Sequence, residues 1–376
     1  MRVAIVGAGP AGLYLAYLLK RSKLNAEVEV FEQNAPDATF GFGLVFSERA
    51  LEFLNQDDPD TLAAIRPALE YWKDSILVHK GCEVRIDGMD YTGIGRLRLL
   101  QILQARAGSV GIEPRYLHPI DDLKACGEAD LIVGADGVNS LVRRSDESGF
   151  GTTVTPLTNR FAWFGTTKRF EALTHTFGET ELGHFNAHHH PHAPDMSTFV
   201  VEVDEPTFFA AGFDKMDSDR AQALCERVFA ETLDGHGLVS NKSIWRQFPK
   251  VWTERWSADR RVLIGDASHT AHFSIGSGTR LAMEDAIALA KALEKHGDIR
   301  AALAAYEDAR KPIVTRLVTA ANASAAWYER FAEHMTLSPM DFAMSYIMRS
   351  GRVNLERLRR SSPAFVAAYE ASRNRA

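Results

Sequence analysis

A glycine-rich turn near the amino terminus restricts the fold of this chain more than any other feature. It consists of Gly7, Ala8, Gly9, Pro10, Ala11 and Gly12. The turn follows a short apolar run, Val3 to Val6, and precedes a stretch without helix breakers, Leu13 to Lys20. The run predicts a buried strand and the stretch predicts a helix. Glycines at this spacing let the backbone approach a pyrophosphate at the amino terminus of the helix.

Glu32 completes a nucleotide-binding pattern. It lies twenty positions after Gly12, at the end of a second predicted strand, Glu27 to Glu32. A carboxylate at this point of a βαβ unit accepts hydrogen bonds from ribose hydroxyls and disfavours a 2′-phosphate. The sequence therefore predicts a bound dinucleotide that is FAD or NAD rather than NADP.

Two later segments repeat the pattern of a strand followed by glycine. The apolar run Asp130 to Val133 ends in Gly134-Ala135-Asp136-Gly137, and Arg261 to Ile264 ends in Gly265-Asp266. A helical pattern from Leu97 to Val110 lies between the first two turns. These features predict one nucleotide-binding sheet assembled from distant pieces of the chain.

The sequence between these turns differs from them in amino-acid composition. Residues 75–89 and 161–256 are rich in Thr, Phe, Trp and Val, which predicts antiparallel strands of a second layer, and residues 299–376 are mostly helical. The predicted fold class is α/β, with a Rossmann-like domain, an inserted mixed or antiparallel sheet domain and carboxy-terminal helices. The predicted domains are a discontinuous nucleotide-binding domain (1–72, 95–155 and 257–320), a substrate-binding sheet domain (73–94 and 156–256) and a helical segment (321–376).

Composition narrows the classes of partner. A formal charge of −6 and a pI near 6.1 argue against general nucleic-acid binding. Three cysteines without a CxxC pair predict neither a disulfide framework nor a zinc cluster. No signal-peptide pattern or membrane-length apolar run is present, so we expect a cytoplasmic protein, a monomer or dimer, that acts on a small molecule. The histidine-rich run from His188 to His192 is interpreted as a surface loop, with no metal site predicted and a substrate-side role for one histidine as the alternative.

The two downstream turns resemble signatures of a known family. Gly134 to Ser140 with Arg143, and Gly265 to His269, are similar to motifs of the flavoprotein hydroxylases built like p-hydroxybenzoate hydroxylase. The resemblance covers almost the whole chain in the right order. It implies non-covalent FAD, with Asp266 at the ribityl chain and Arg96 at the phosphates. Asp136 is assigned to the cofactor as well, although simple helix capping is an alternative for both aspartates.

The same resemblance implies where the flavin ring lies. Residues 41–47 occupy the place of the family's loop beside the isoalloxazine ring, where Gly43 permits close backbone approach. The turn from His272 to Arg280 follows the Asp266 motif directly. Its Gly276, Gly278 and Thr279 are predicted to contact the cofactor.

This turn departs from the usual family pattern, because Phe273 stands where proline is usual and Arg280 where asparagine is usual. The departure resembles a narrower branch, the salicyloyl-CoA 5-hydroxylases and the monooxygenase portion of anthraniloyl-CoA monooxygenases. That likeness implies hydroxylation of a hydroxy- or aminobenzoyl-CoA thioester. Hydroxylases of tryptophan-derived indoles in violacein biosynthesis share the same HFSIG run and provide the alternative substrate.

The resemblance implies a reaction with NADH or NADPH as a transient reductant and O2 as the oxygen donor, because no second GxGxxG exists to hold a nicotinamide nucleotide. His272 and Arg280 are the candidate catalytic residues. A purely structural histidine is an equal alternative for His272. A non-oxygenating flavin reductase is the competing class, since fold does not fix reaction. The Arg349 to Arg360 segment is interpreted as a solvated helix face, with phosphate binding as the alternative.

Overall fold

The computed structural model describes residues 1–374, except for the side chains of residues 48 and 49. The strands are β1 (Arg2–Val6), β2 (Glu27–Phe31), β3 (Gly43–Ser47), β4 (Glu70–Trp72), β5 (Ser75–His79), β6 (Cys82–Ile86), β7 (Tyr91–Gly95), β8 (Leu131–Gly134), β9 (Thr152–Pro156), β10 (Arg160–Thr166), β11 (Leu173–Thr180), β12 (Gly183–Ala193), β13 (Met196–Val203), β14 (Leu238–Ser240), β15 (Pro249–Thr253), β16 (Ser257–Ala258) and β17 (Arg261–Leu263). The α-helices are α1 (Pro10–Arg21), α2 (Glu52–Asp57), α3 (Pro59–Ile65), α4 (Arg96–Gly108), α5 (Leu141–Arg144), α6 (Glu147–Phe150), α7 (Glu205–Ala210), α8 (Ser218–Val228), α9 (Ala230–Leu233), α10 (Gly278–Lys295), α11 (Ile299–Tyr328), α12 (Phe331–His334), α13 (Pro339–Met348), α14 (Leu355–Ser361) and α15 (Pro363–Arg373).

A five-stranded sheet carries the three glycine turns. Its order is β16-β17-β8-β1-β2, and every pair except β16–β17 is parallel. The last four residues of β1 are buried, as expected for a central parallel strand covered on both faces. Helix α1 begins with a proline at its first position, where the missing N–H costs no hydrogen bond, and it packs against α10. The prediction of one sheet built from distant pieces is confirmed.

A second sheet of seven strands has the order β14-β10-β13-β12-β11-β5-β6. Only its β11–β5 pair is parallel, so the predicted mixed sheet is confirmed. One face buries Phe164, Phe199 and Val201 against α7, α8 and α9. The expectation of strands throughout 161–256 was wrong for these three helices, two of which begin at aspartates that cap backbone N–H groups, Asp204 and Asp217.

The carboxy-terminal helices cover part of the opposite face of the seven-stranded sheet. Trp327 of α11 and Phe342 of α13 share a buried cluster with Leu77 of β5 and Phe177 of β11. The small sheet β3-β7-β4 packs beside β12. The region between the two large sheets, bordered by β3, β7 and the turn at residues 272–278, is called the cleft below. The exact domain boundaries stay a prediction. No helix within residues 1–374 is long and apolar enough to cross a membrane.

Candidate active site

The first glycine turn is packed too closely for side chains at two of its glycines. Gly7 has φ +104°, and a Cβ there would overlap the backbone of Ala135 after β8. A Cβ at Gly12 would overlap the carbonyl oxygen of Gly7. Gly9, in contrast, has open space above it. The turn thus joins β1 closely to β8 while leaving its outer side accessible, as a pyrophosphate between Gly9 and the start of α1, with Pro10 and Ala11, requires.

The Glu32 carboxylate lies directly beside this turn. Its Oε2 accepts a hydrogen bond from the Ala8 N–H at 2.9 Å, and its Oε1 accepts one from the Asn34 N–H at 2.8 Å. The side chain is half-buried at the end of β2. It is therefore held where a ribose next to the turn would meet it, although the ribose role stays a prediction.

The third turn owes its shape to Gly265, which has φ +59° and would meet the Ala282 Cβ at 2.9 Å if it carried a side chain. Asp266, the next residue, is exposed at the cleft. The surrounding protein nevertheless desolvates this carboxyl and raises its pKa, while His269 and Arg96 act in the opposite direction. A carboxylate in this position is available to a polar ligand.

A buried carboxylate that the sequence analysis missed holds the third turn in place. Asp285 of α10 accepts hydrogen bonds from the Gly265 N–H at 3.1 Å, His269 Nε2 at 2.8 Å and Arg310 Nε at 2.9 Å. Burial alone would raise its pKa, but His269 and Arg310 outweigh this effect and lower it. The detectable sequence signal was an acidic pair, Glu284-Asp285, within the otherwise apolar stretch 281–290 of this helix.

Arg96 lies across the cleft from Asp266. It is the first residue of α4, and its backbone N–H donates to the Phe42 carbonyl at 2.7 Å. Its guanidinium lies 5.1 Å from the centre of the Trp163 ring on β10. Burial lowers the pKa of Arg96 and the Asp266 charge raises it, so the two side chains interact electrostatically. The structure therefore brings these two predicted cofactor residues together.

Asp136 hydrogen-bonds the backbone at the start of a short helix, α5. Its Oδ2 accepts hydrogen bonds from the backbone N–H groups of Leu141 and Val142, at 2.7 and 3.3 Å, at the start of α5. This is the capping interaction of the alternative interpretation. Its Oδ1 is buried without a partner in the described chain. Arg143 then links the second turn to the third, because its Nη1 donates to the Ala267 carbonyl at 2.8 Å.

Gly43, the first residue of β3, and Gly276, which packs against Val45 of β3, both lack room for a side chain. A Cβ on Gly43 would overlap His192 and Thr198, and the Gly43 N–H donates to the Thr198 hydroxyl at 2.8 Å. Gly276 has φ +58°, and its Cβ would lie 3.0 Å from the Val45 carbonyl oxygen. The predicted loop at residues 41–47 is in fact a strand from Gly43 onward, because it pairs with β7.

Helix α10 begins at this turn, with Gly278 and Thr279 as its first residues. A Cβ on Gly278 would meet no atom within 4 Å, so this amino terminus faces open space. Arg280 does not reach His272; its Nε donates to Glu284 at 2.7 Å, and Glu284 also pairs with Arg310 at 3.0 Å. Arg280 thus belongs to the ion-pair network of α10, and its catalytic role stays a prediction without a contact in its favour.

His272 is buried at the inner end of the cleft. Its Nδ1 lies 2.8 Å from the Ser274 hydroxyl, and its ring packs on Phe248 and Phe273 at centroid distances of 4.9 and 4.2 Å. Burial, helped by Arg349 and His188, lowers its pKa to about 3. His272 is therefore neutral at neutral pH and can serve as a hydrogen-bonding group rather than as a cation.

The histidine-rich run is not a surface loop, so that interpretation was wrong. It lies in β12, between β11 and β13, and His189, His190 and His192 are buried. His189 stacks on Phe199 on the face covered by α7 to α9. Because side chains alternate along a strand, His188, His190 and His192 face the other way, toward the cleft. The His188 ring lies 5.5 Å from that of Phe273, and burial lowers its pKa to about 4.

Arg349, just after α13, adjoins the same end of the cleft. Its Nε donates to the Ser324 hydroxyl at 3.0 Å and its Nη2 to the Ser274 carbonyl at 2.9 Å. Its guanidinium stacks 3.7 Å from the Tyr346 ring centre. The prediction of a solvated helix face therefore holds for the exposed arginines at 352, 357, 359 and 360. It was wrong for Arg349, which is half-buried. No short-range pattern in the sequence distinguishes this arginine from the others.

The predicted cofactor residues surround one cleft that can accept FAD. Open space lies above Gly9 and Gly278, and an exposed carboxylate and a half-buried guanidinium, Asp266 and Arg96, face each other between them. Glu32 stands at the far end beside the first turn. This donor and acceptor set fits a long, anionic dinucleotide whose phosphates meet backbone N–H groups.

Comparison with known proteins identifies the family. Residues 93–321 match the model of the FAD binding domain, and residues 5–38 match that of an NAD(P)-binding Rossmann-like domain. The chain is 40% identical over 362 residues to a salicyloyl-CoA 5-hydroxylase from Streptomyces sp, covering 93% of this chain and 70% of that protein. It is 36% identical to the 3-hydroxy-4-methyl-anthranilyl-[aryl-carrier protein] 5-monooxygenase of Streptosporangium sibiricum, covering 89% of this chain and 90% of that protein.

Two further comparisons agree. The protodeoxyviolaceinate monooxygenase of Chromobacterium violaceum is 31% identical, with 93% of this chain and 94% of that protein covered. The solved structure of 2-methyl-3-hydroxypyridine-5-carboxylic acid oxygenase shares the fold, with a TM-score of 0.70 at 19% identity over 96% of this chain and 97% of that chain. The competing assignment as a non-oxygenating reductase is not supported by these relatives. The chain therefore belongs to the FAD-dependent aromatic monooxygenases, which use FAD, NAD(P)H and O2 to hydroxylate an aromatic ring.

Proposed function

We propose that this enzyme hydroxylates a hydroxy- or aminobenzoyl group that is bound as a CoA thioester. Two of its relatives are named for acyl groups attached to a carrier, CoA in one and an aryl-carrier protein in the other. A cytoplasmic location and a monomeric or dimeric state belong to the same proposal.

The charge state of the inner cleft is the observation that supports a thioester over a free acid. The cation that adjoins His188 and His272 is Arg349, and each of its three guanidinium nitrogens already donates to Ser324, Tyr346 or Ser274. Both histidines are neutral, because burial lowers their pKa values. A free carboxylate beside these histidines would lose its hydration, and the Arg349 guanidinium already donates from each of its nitrogens, so burying that carboxylate is costly. A neutral thioester avoids that cost.

The side chains at this end of the cleft suit an electron-rich ring. Phe161 and Phe273 lie 4.9 Å apart at their ring centroids and provide an apolar wall that keeps water away. His272 uses Nδ1 on Ser274, which leaves Nε2 to hydrogen-bond a ring hydroxyl or amino group. The same Nε2 contact stabilises negative charge that develops on that substituent. When bound, FAD supplies the chemistry of accepting hydride from NAD(P)H and activating O2.

The test measures NADH and NADPH oxidation, peroxide release and product mass with five substrates. These are salicyloyl-CoA, anthraniloyl-CoA, the corresponding free acids and an indole carboxylate. We expect coupled hydroxylation of a thioester and little turnover of the acids, because the remote handle contributes binding energy that orients the ring. Equal coupled turnover of salicylate and its thioester contradicts the proposal, and preferential turnover of the indole moves the assignment to the alternative substrate.

A further inference from the structure

An exposed aromatic side chain between two cations lies on the loop that leads into the cleft. Phe40 is 42% exposed. The Lys242 ammonium and the Arg246 guanidinium each lie 5.4 Å from the centre of its ring. We define Phe40, Lys242 and Arg246 as the rim patch. We infer that the rim patch binds the phosphate-bearing nucleotide end of a CoA thioester, an inference that rests on the proposed function.

The rim patch is continuous with the wall of the cleft. Phe40 precedes Phe42, whose ring fills the space beside Gly165 of β10. Arg246 exchanges two backbone hydrogen bonds of 2.9 Å with Phe161, and the Phe161 ring contacts Phe273 at the inner wall. For a substrate whose ring lies at Phe273, the rim patch therefore lies nearer the protein surface, on the same side of the sheet.

The loops that carry the rim patch are held rigidly. The Asn241 amide donates to the carbonyl oxygens of Thr39 and Gly41, at 3.1 and 3.2 Å, on both sides of Phe40. Trp245, next to Arg246, packs on Phe213 at a centroid distance of 4.3 Å below the sheet. Lys242 adopts φ +53°, an unfavourable conformation for a residue with a side chain. A ligand would thus meet a preformed surface, which lowers the entropic cost of binding.

The two charges of the rim patch have no acidic partner among the described side chains, which are those of residues 1–47 and 50–374. Neither Lys242 nor Arg246 forms an ion pair there. Both are exposed. Exposed Val239 lies opposite Gly165 on the edge strand β14 and extends the apolar surface beside Phe42. Two free cations around an aromatic ring offer charge-assisted contacts to phosphates and a stacking surface for adenine.

The experiment compares two thioesters of the same acid in the double variant Lys242→Ala/Arg246→Ala. Salicyloyl-CoA carries the phosphates and adenine, whereas salicyloyl-pantetheine lacks them. We expect KM for the CoA thioester to rise about tenfold, because two exposed charge contacts are lost, with KM for the pantetheine thioester unchanged. The wild-type preference for CoA should also shrink as salt is raised, since the Debye length falls from ~10 Å at 0.1 M to ~3 Å at 1 M.

The matched control is Lys295→Ala/Arg300→Ala, which removes the same two charges from an exposed site. That site lies at the far end of the 18-residue helix α10, roughly 27 Å from its start at the cleft. The control should leave both KM values at the wild-type level. An unchanged ratio of the two KM values in the rim-patch variant overturns the inference. An increase in KM for NADH alone also overturns it and assigns the patch to the reductant.

Failure of the proposed function gives a different result. If neither thioester is hydroxylated, the proposed function is wrong, and direct calorimetric titration with CoA then tests the rim patch by itself. Weaker CoA binding to the rim-patch variant than to the control supports the inference. Absence of CoA binding to the wild-type holoenzyme overturns it.

Discussion

Gly276 combines a left-handed backbone conformation, φ +58°, with a neighbouring carbonyl 3.0 Å from where its Cβ would be. A side chain is disfavoured there for both reasons. Gly43, the first residue of β3, is confined by His192 and Thr198. At the scale of single residues, β3 packs closely on its neighbours because neither Gly43 nor Gly276 carries a side chain.

We expect Gly276→Val to fold but to release more of its reducing equivalents as peroxide. The added side chain strains φ and pushes the turn away from Val45, which disturbs the seal around the reacting groups. Peroxide release per NADH oxidised measures the effect. Gly108→Ala at the end of α4 has open space for its Cβ and should behave like wild type. Parent-level coupling in Gly276→Val would show that this turn does not border the flavin.

Glu32→Ala should weaken FAD binding ten- to a hundredfold. Loss of a hydrogen bond to a charged group costs ~1.5 to 3 kcal/mol, which corresponds to that range of affinity. Titration of apoprotein with FAD, followed by quenching of flavin fluorescence, gives the dissociation constant. Glu29→Ala provides the control, because Glu29 lies on the same strand but pairs with Arg115 at the surface. Equal affinity in the two variants would remove Glu32 from the ribose site.

At the scale of elements, α10 joins the cofactor turn to the helical core. Asp285, fully buried, receives hydrogen bonds from the turn and from α11 through Arg310. A buried carboxylate of this kind is stable only when its partners stay charged or polar. The third glycine turn therefore depends on two helices as well as on its own sequence.

Asp285→Asn should lower the free energy of unfolding by about 3 kcal/mol, because it leaves Arg310 buried with half of its counter-charge. The folded-state pKa of Asp285 is below its ordinary value of 3.8, so its contribution is complete above that pH and is lost as pH falls through the folded pKa. Denaturant unfolding of both proteins at pH 7 and pH 5 measures this, and the difference should be the same at both values because both lie above 3.8. A stability difference that shrinks between pH 7 and pH 5 would contradict the lowered pKa of Asp285.

At the scale of the whole molecule, the carboxy-terminal helices complete the cleft. Arg349 follows α13 and hydrogen-bonds Ser324 of α11 and the Ser274 carbonyl before α10. Ser274 in turn bonds His272. Segments separated by 75 positions along the chain thus meet around one histidine.

Arg349→Met should reduce coupled hydroxylation and raise the pKa of His272. Burial is the main reason that this pKa is about 3, with smaller contributions from His188 and Arg349, so removal of the Arg349 charge shifts it upward by a fraction of the total. The acid limb of the kcat profile should therefore move to higher pH. Arg357→Met, at an exposed position of α14, is the control. A loss of activity without any movement of the acid limb would mean that Arg349 acts only through packing.

The sequence by itself determined the nucleotide-binding half of this protein. The glycine turns, Glu32 and Asp266 lie within a few residues of strands whose apolar runs are readable locally, and parallel sheets gather such strand ends at one edge. The family and the cofactor followed from the resemblance that these motifs carry, and the mixed second sheet followed from the composition of residues 75–89 and 161–256. Candidate FAD residues in distant segments could also be proposed, because each segment carries its own motif, and the structure places Arg96 near Asp266.

The substrate end of the cleft was decided by tertiary structure. The histidine-rich run was interpreted as a surface loop, yet it lies in β12, which accommodates Pro191 beside a shift in register with β13. In the sequence, Arg349 could not be distinguished from the exposed arginines that follow it. In the structure, α13 places it against Ser274 and Tyr346. Asp285 gained its role only when α10, α11 and the third turn packed together. These contacts join residues far apart in the chain, so no local pattern records them, and only packing selects which polar side chains face the cleft.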